Sequence, residues 1–152
     1  MPITVRQGTT ADASQVCEFN RLLALESEGK TLDMNVLQKG VAAILADPHK
    51  GLYFLAEGES QMLGQISVTF EWSDWRNGWF WWIQSVYVRP EARRRGMFRA
   101  LYEYVQQAAR AEPQVIGLRL YVERDNQPAQ RTYQRLGMHA TGYLVLEEYP
   151  LP

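Results

Sequence analysis

A short basic turn in the second half of the chain has the composition of a phosphate-binding site. The apolar residues SVYV run into RPEARRRG, and an amphipathic helical pattern begins at Met97. The first N–H groups of a helix have no intrahelical partner, and the helix dipole adds partial positive charge there. Gly96 lets the backbone approach a ligand closely. The segment therefore predicts a site for phosphate oxygens. It is neither a Walker loop nor a dinucleotide fingerprint, because G-K-[ST] and G-x-G-x-x-G are missing.

A second segment, NQPAQRTYQRLGM over residues 126–138, predicts a short helix with one apolar face. Asn126 suits the N-cap, and Pro128 is tolerated in the first helical turn. Ala129, Tyr133 and Leu136 share a face at i, i+4 and i+7. Periodicity by itself favours Tyr133 as a core residue between this helix and a sheet.

Together the two segments resemble the cofactor-binding motifs of the GNAT-type N-acetyltransferase superfamily. Arg93 and Gly96 match its [RQ]-x-x-G-x-[GA] motif, with Phe98 in place of the usual small residue, and residues 126–138 match N-x-x-A-x-x-x-Y-x-x-x-G-[FM]. The resemblance covers about residues 79–149. It implies an α/β fold with a central mixed, mostly antiparallel sheet, helices on both faces, and a splay between the fourth and fifth strands.

The resemblance also implies a cofactor, acetyl-CoA or coenzyme A, and roles for particular residues. The amides of the basic turn would hold the pyrophosphate, and one strand backbone would pair with pantetheine. Tyr133 would be the general acid that gives a proton to the departing thiolate. Asn126 would bond pantetheine through its amide, or act only as an N-cap. The implied cofactor set is Val86, Tyr87, Val88, Arg93, Arg94, Arg95, Gly96, Met97, Phe98, Arg99 and Asn126.

The general base stays unassigned. Positions where many members of the superfamily carry glutamate hold Gln84 and Tyr121, neither of which is a base at neutral pH. Glu71 and Glu123 are candidates that would act through an ordered water, although each also reads as an exposed carboxylate at a strand end.

Acidic and aromatic residues in two stretches predict a small cationic amine as acceptor, since carboxylates and aromatic faces both bind cations. The alternatives are ordinary surface charge and an aromatic cluster at a homodimer contact. Trp81 and Trp82 are expected in the core. The predicted acceptor residues are Glu26, Glu28, Glu71, Trp72, Asp74 and Trp75.

The elements that must position these residues follow the order β-α-α-β-β-β-α-β-α-β(β). Thr9 and Asp12 form a capping-box pattern, and a second helix starts at Asp33 and stops at Asp47-Pro48. Residues 26–30 read as a loop. The strands are predicted at residues 3–7, 52–56, 66–72, 79–88, 115–122 and 143–149, with helices after Pro90 and from Asn126 to Leu136.

Composition limits the remaining classes. The 152 residues suit one domain over 1–152, and 17 acidic against 16 basic residues give no reason to expect a nucleic-acid partner. The sole cysteine, Cys17, excludes an internal disulfide and thiolate metal clusters, so we predict no metal site. No stretch resembles a signal peptide or a membrane span, which predicts a cytoplasmic location without a membrane partner.

The predicted function is transfer of acetyl from acetyl-CoA to a primary amine, of a small molecule, by direct attack in a ternary complex. Two alternatives stay open. One is acetylation of a protein lysine or N-terminus. The other is a non-catalytic module that binds acyl-CoA, which the missing carboxylates at Gln84 and Tyr121 favour.

Overall fold

The structure is a computed structural model that describes residues 2–152. Its contacts divide the chain into two compact units, one ending at Leu120 and one running from Tyr121 to Pro152. A single domain over 1–152 stays a prediction.

The first unit contains a sheet of five strands and three α-helices. Its elements are β1 (Thr4–Gln7), α1 (Ala13–Glu28), α2 (Met34–Ala46), β2 (Leu52–Gly58), β3 (Gln61–Ser73), β4 (Gly78–Val88), α3 (Met97–Arg110) and β5 (Val115–Leu120). Each predicted strand and helix up to residue 120 is present, with ends that shift by a few residues.

The sheet has the strand order β1-β2-β3-β4-β5. Neighbours from β1 to β4 are antiparallel, and β4 pairs with β5 in parallel. That pairing runs from Trp79↔Val115 to Ile83↔Leu120, while β4 continues to Val88. The fourth and fifth strands therefore part after Ile83, as the GNAT-like fold predicts.

Helices cover both faces of the sheet. Tyr53 and Phe54 are consecutive residues of β2 and so point to opposite faces. The Tyr53 hydroxyl accepts a hydrogen bond from Asn20 Nδ2 of α1, whereas the Phe54 ring lies 5.3 Å from the ring of Tyr104 on α3. We call these the α1 face and the α3 face. Helix α2 packs on the α1 face, where Val41 joins Val16, Cys17, Tyr53 and Leu55 in one core cluster.

Helix α1 is longer than the sequence predicts. The capping box of Thr9 and Asp12 is present and opens a 3-10 turn that leads into α1. The predicted loop at residues 26–30 is wrong in its first half, because α1 continues to Glu28. Gly29 ends it in the left-handed conformation at φ 62°, which glycine adopts without strain. Glu26 and Glu28 thus lie in the last turn of a helix.

The second unit contains α4 (Gln127–Arg135). The predicted strand at residues 143–149 is not formed, and the backbone from Met138 to Pro152 has no regular structure. The alternation there suits a strand, but a strand exists only with a hydrogen-bonded partner, and Leu146 and Tyr149 are exposed. None of the helices within residues 2–152 has the length and apolar character that a membrane crossing requires.

Candidate active site

Strand β4 carries a bulge at the point where it leaves β5. Its pairing with β3 jumps from Ser67↔Gln84 to Gln65↔Tyr87, so β4 has one more residue than β3 in this interval. Ser85 adopts a positive φ of 50° there. A bulge bends its strand and increases the local twist. The segment Val86–Val88 beyond it is therefore aimed differently from the rest of the strand.

The basic turn follows this segment directly. After a 3-10 turn at Pro90–Ala92, Arg94 and Gly96 have left-handed φ values of 63° and 77°. Ala100 N donates to Gly96 O at 2.9 Å, so the amides of the preceding turn lie outside the α3 hydrogen-bond ladder. A Cβ added to Gly96 would meet no atom within 4 Å and would project into the open space of the turn. A helix start of this kind favours an anion.

The arginines of the turn differ in their partners. Arg93 Nε donates to Val88 O at 2.8 Å, and its guanidinium lies 5.5 Å from the centre of the Tyr87 ring. Arg99 is paired with Glu103 at 2.8 Å along α3. Arg94 and Arg95 are exposed. The guanidinium groups of Arg94 and Arg95 therefore reach solvent, while Arg93 is fixed against β4.

Glu26 of α1 reaches across to these residues. Its Oε2 accepts from Arg93 NH2 at 2.6 Å, and its Oε1 lies 3.4 Å from the Tyr87 hydroxyl, which donates. Burial and the nearby Glu26 carboxylate raise the pKa of the Tyr87 phenol, so it stays protonated at neutral pH. The predicted acceptor residue Glu26 thus contacts two predicted cofactor residues.

An open pocket of about 430 Å³ lies among these groups. Its lining residues are Leu23, Glu26, Ser27, Val86, Tyr87, Val88, Arg93 and Phe98. The strand segment, the turn and α3 therefore share one cavity with α1. The Met97 side chain is buried in the core, so Met97 can serve a ligand only through its backbone. Phe98, where the superfamily prefers a small residue, lies on the pocket wall.

The GNAT acetyltransferase family matches residues 19–138 of the sequence. A crystal structure of a possible acetyltransferase from Clostridium difficile 630 is 43% identical, covers 100% of both chains and superposes with a TM-score of 0.93. The chain belongs to the GNAT acetyltransferase family. No curated protein matches the sequence.

More distant structures share the GNAT fold. A predicted acetyltransferase with acetyl-CoA from Clostridium acetobutylicum is 18% identical, with 96% of each chain covered and a TM-score of 0.78. Glucosamine-6-phosphate N-acetyltransferase from Arabidopsis thaliana is 15% identical over 98% of this chain and 99% of its own, with a TM-score of 0.72. At these identities the likeness shows the fold alone.

The second GNAT motif forms α4 as the sequence predicts. Asn126 is the N-cap, and its Oδ1 accepts from Ala129 N at 3.2 Å. The N-cap role is therefore present, and the pantetheine contact of its amide stays a prediction. Ala129, Tyr133 and Leu136 are half-buried, which agrees with the predicted common face. Gly137 closes the helix at φ 102°.

The remaining predicted acceptor carboxylates have partners of their own. Glu28 lies 3.7 Å from Lys30, and Asp74 accepts from Trp75 N at 2.9 Å in the β3–β4 turn. Glu71 Oε1 accepts from Trp82 Nε1 at 3.0 Å and from Arg119 NH1 at 2.9 Å. Of the four acidic residues predicted to bind the acceptor, Glu26 alone lines the pocket.

Strand parity separates two residues that the sequence placed together. Gln65 bonds Asn20 of α1, so Glu71, at the same parity of β3, lies on the α1 face, and Trp72 lies on the α3 face. There the Trp72 ring packs 5.0 Å from Trp79. Trp72 and Glu71 therefore do not share one pocket. Trp75 is 88% exposed at the turn.

Arg119, on the α1 face of the sheet, was not identified as a site residue from the sequence. The Arg119 guanidinium lies 3.7 Å from the centre of the Phe80 ring and is paired with Glu71, which also bonds Trp82. Trp81 is buried as predicted, whereas Trp82 is half-buried on this face. Gln84 Nε2 donates to Thr69 Oγ1 at 2.9 Å. The Glu71 carboxylate therefore already accepts hydrogen bonds from two side chains, Trp82 and Arg119.

Proposed function

We propose that this protein is an acetyl-CoA-dependent N-acetyltransferase that acts on a primary amine of a small molecule. One observation carries the proposal: in a GNAT chain, the bulged strand, the left-handed basic turn and the start of α3 line a single pocket. Bound acetyl-CoA would supply the acetyl group as a thioester. The chain's own residues bind, orient and move protons.

The geometry of the first unit supports the proposed binding roles. The amides from Arg94 to Arg99, together with the guanidinium groups of Arg93, Arg94 and Arg95, bind the pyrophosphate, because a helix start with unpaired N–H groups favours an anion. The backbone of Val86–Val88 binds the pantetheine arm beside β4. Phe98 and Leu23 supply apolar pocket walls.

Proton transfer is assigned to Tyr133. A cationic amine must lose one proton to water before it can attack the carbonyl carbon. The nitrogen then loses a second proton as the amide forms, and the departing thiolate gains one. Tyr133 gives the proton to sulfur, and this role rests on the motif match of its segment. The amine's proton passes to water, because Gln84 cannot accept it at neutral pH.

Glu26 is the acceptor-binding carboxylate in this proposal, since it alone of the four predicted acidic residues faces the pocket of the cofactor strand. A carboxylate there would hold a cationic amine beside the bound cofactor. Glu28, Asp74 and Trp75 would contribute to a wider acidic surface.

A thiol-release assay with acetyl-CoA tests the proposal against a panel of amines, amino acids and peptides. We expect release with small cationic amines, and less with neutral amines. Preferred release with peptides would favour a protein acetyltransferase. Binding of coenzyme A without release for any acceptor would favour the non-catalytic module.

A further inference from the structure

Two side chains of β3 point at the bulge in β4. Ser67 Oγ donates to Gln84 O at 2.9 Å, and Gln65 Nε2 donates to Ser85 O at 3.0 Å. Ser67 is 2% exposed and Gln65 is 0% exposed. Two successive carbonyls at the bulge, where the register with β3 is shifted, are therefore bonded by buried side chains.

Gln65 is itself held in place. Its Nε2 also donates to Asn20 Oδ1 at 3.1 Å, and Asn20 Nδ2 donates to the Tyr53 hydroxyl at 3.0 Å. Since a backbone carbonyl only accepts hydrogen bonds, the Gln65 amide nitrogen must face Ser85. This network links α1 and β2 to the bulge.

The Gln65 oxygen shows that packing alone does not explain a glutamine here. Its Oε1 is buried and has no hydrogen-bond partner among residues 2–152. A buried, unpaired polar atom lowers stability, so an apolar side chain would suit the core better. What glutamine adds at this position is an amide nitrogen that donates to both Asn20 Oδ1 and Ser85 O.

We propose that Gln65 and Ser67 are positioning residues that hold the bulge and so aim Val86–Val88 at the pantetheine arm. The inference rests on the proposed function. A non-glycine residue at positive φ, as at Ser85, is uncommon and strained. Side-chain hydrogen bonds to both neighbouring carbonyls stabilise that conformation against a regular, unbent strand.

The test compares two ligands. Coenzyme A contains the pantetheine arm, and adenosine 3′,5′-bisphosphate has its nucleotide and two of its three phosphates without that arm. Dissociation constants for both are measured by calorimetry on the parent, Ser67→Ala and Gln65→Met. We expect coenzyme A to bind about fivefold or more weakly in each variant, the cost of misplacing a hydrogen bond or two. The bisphosphate should bind as it does to the parent.

Steady-state kinetics add a second readout. With the strand misaimed, kcat/KM for acetyl-CoA should fall by about tenfold to a hundredfold, as misplacement of a reacting group does. The KM for the amine should not change. A general loss of folded protein would instead lower the active fraction and leave every KM as it was.

Tyr53→Phe is the matched control. It removes a buried hydroxyl from the same network and leaves the Gln65 bond to Ser85 in place. We expect a lower Tm with unchanged affinity for coenzyme A. Circular dichroism checks each fold, and Ser67→Ala carries the test if Gln65→Met does not fold.

The outcomes separate the two proposals. Equal weakening of both ligands, or a loss for coenzyme A in Tyr53→Phe as large as in Ser67→Ala, would overturn the positioning role. A parent that binds coenzyme A together with variants that bind it unchanged would overturn this inference alone. A parent that binds neither ligand would overturn the proposed function and this inference with it.

Discussion

Glu26→Gln is the change that the geometry of the pocket predicts most sharply. The Glu26 carboxylate holds Arg93 in an ion pair at 2.6 Å, inside the pocket that we assign to an anionic cofactor. The pyrophosphate must therefore compete with Glu26 for Arg93 and tolerate its negative charge. Glutamine removes the charge and can still accept from the Tyr87 hydroxyl.

The magnitude follows from exposure. The two side chains are 44% and 41% exposed, and exposed ion pairs stabilise by about 0.2–1 kcal/mol. For a like charge taken to lie about 6 Å from the phosphate in a water-like medium, its removal adds about 0.7 kcal/mol. Together these terms predict coenzyme A binding about fivefold to twentyfold tighter. The gain should shrink as salt rises, because both terms are screened.

Titration calorimetry with coenzyme A at two salt concentrations measures the effect, and Glu18→Gln is the control. Glu18 lies on the same helix and is paired with Arg21 at the same 2.6 Å, but it does not line the pocket. The KM for a cationic amine should rise in Glu26→Gln only. Unchanged or weaker coenzyme A binding in Glu26→Gln, or an equal gain in Glu18→Gln, would refute the competition.

Three further predictions concern separate parts of the chain. Gly96→Ala should weaken coenzyme A binding by about tenfold, because the added Cβ enters the turn. Gly29→Ala, a control with the same left-handed backbone, should only lower Tm. If calorimetry gives the Gly96→Ala variant the same affinity for coenzyme A as the parent, the turn is not the pyrophosphate site. Tyr133→Phe should lower turnover by about a hundredfold with little change in coenzyme A affinity, and full turnover with rate-limiting chemistry would demote Tyr133 to packing. The hydrogen bonds and charge of Arg6 hold the pKa of the Asp12 carboxyl below its usual range. The ion pair therefore stabilises the fold fully above about pH 4, and this contribution is lost as the pH falls through the lowered pKa. Asp12→Asn should lower the free energy of unfolding by about 1 kcal/mol at pH 7 and flatten the decrease of Tm at acid pH. If Tm falls with acid in the variant as it does in the parent, the Arg6–Asp12 pair is not the cause of that decrease.

The fold up to Leu120 was predictable because its local signals agree. The Asp33 N-cap, the stop at Asp47-Pro48 and the apolar run of β4 each mark one element, and the order of the elements follows from these local patterns. The end of α1 was missed because Glu26 and Ser27 are polar yet tolerated in a helix, and Ser27 Oγ bonds Leu23 O. The chain ends that helix only where Gly29 allows a left-handed cap.

The bulge of β4 was not predictable from the pattern of that strand. An apolar run with no alternation hides an inserted residue, since both faces are already apolar. The available signal was on the neighbouring strand, where Gln65 and Ser67 place polar groups at buried positions. Buried polar side chains need hydrogen-bond partners, and here the partners are the backbone carbonyls of β4 at the bulge.

The pairing of the charged residues at the site was also not predictable from the sequence. The sequence places acidic residues on one side and arginines on the other, which predicts separate regions for a cationic acceptor and an anionic cofactor. In the structure Glu26 is neutralised by Arg93 and Glu71 by Arg119, partners 67 and 48 positions away. A carboxylate that is already paired binds an amine only if that amine, or a phosphate, displaces its arginine. The acceptor site therefore has its full negative charge only once pyrophosphate has taken Arg93, so cofactor binding should precede and strengthen amine binding, and initial-rate kinetics that show random, uncoupled binding would contradict this order.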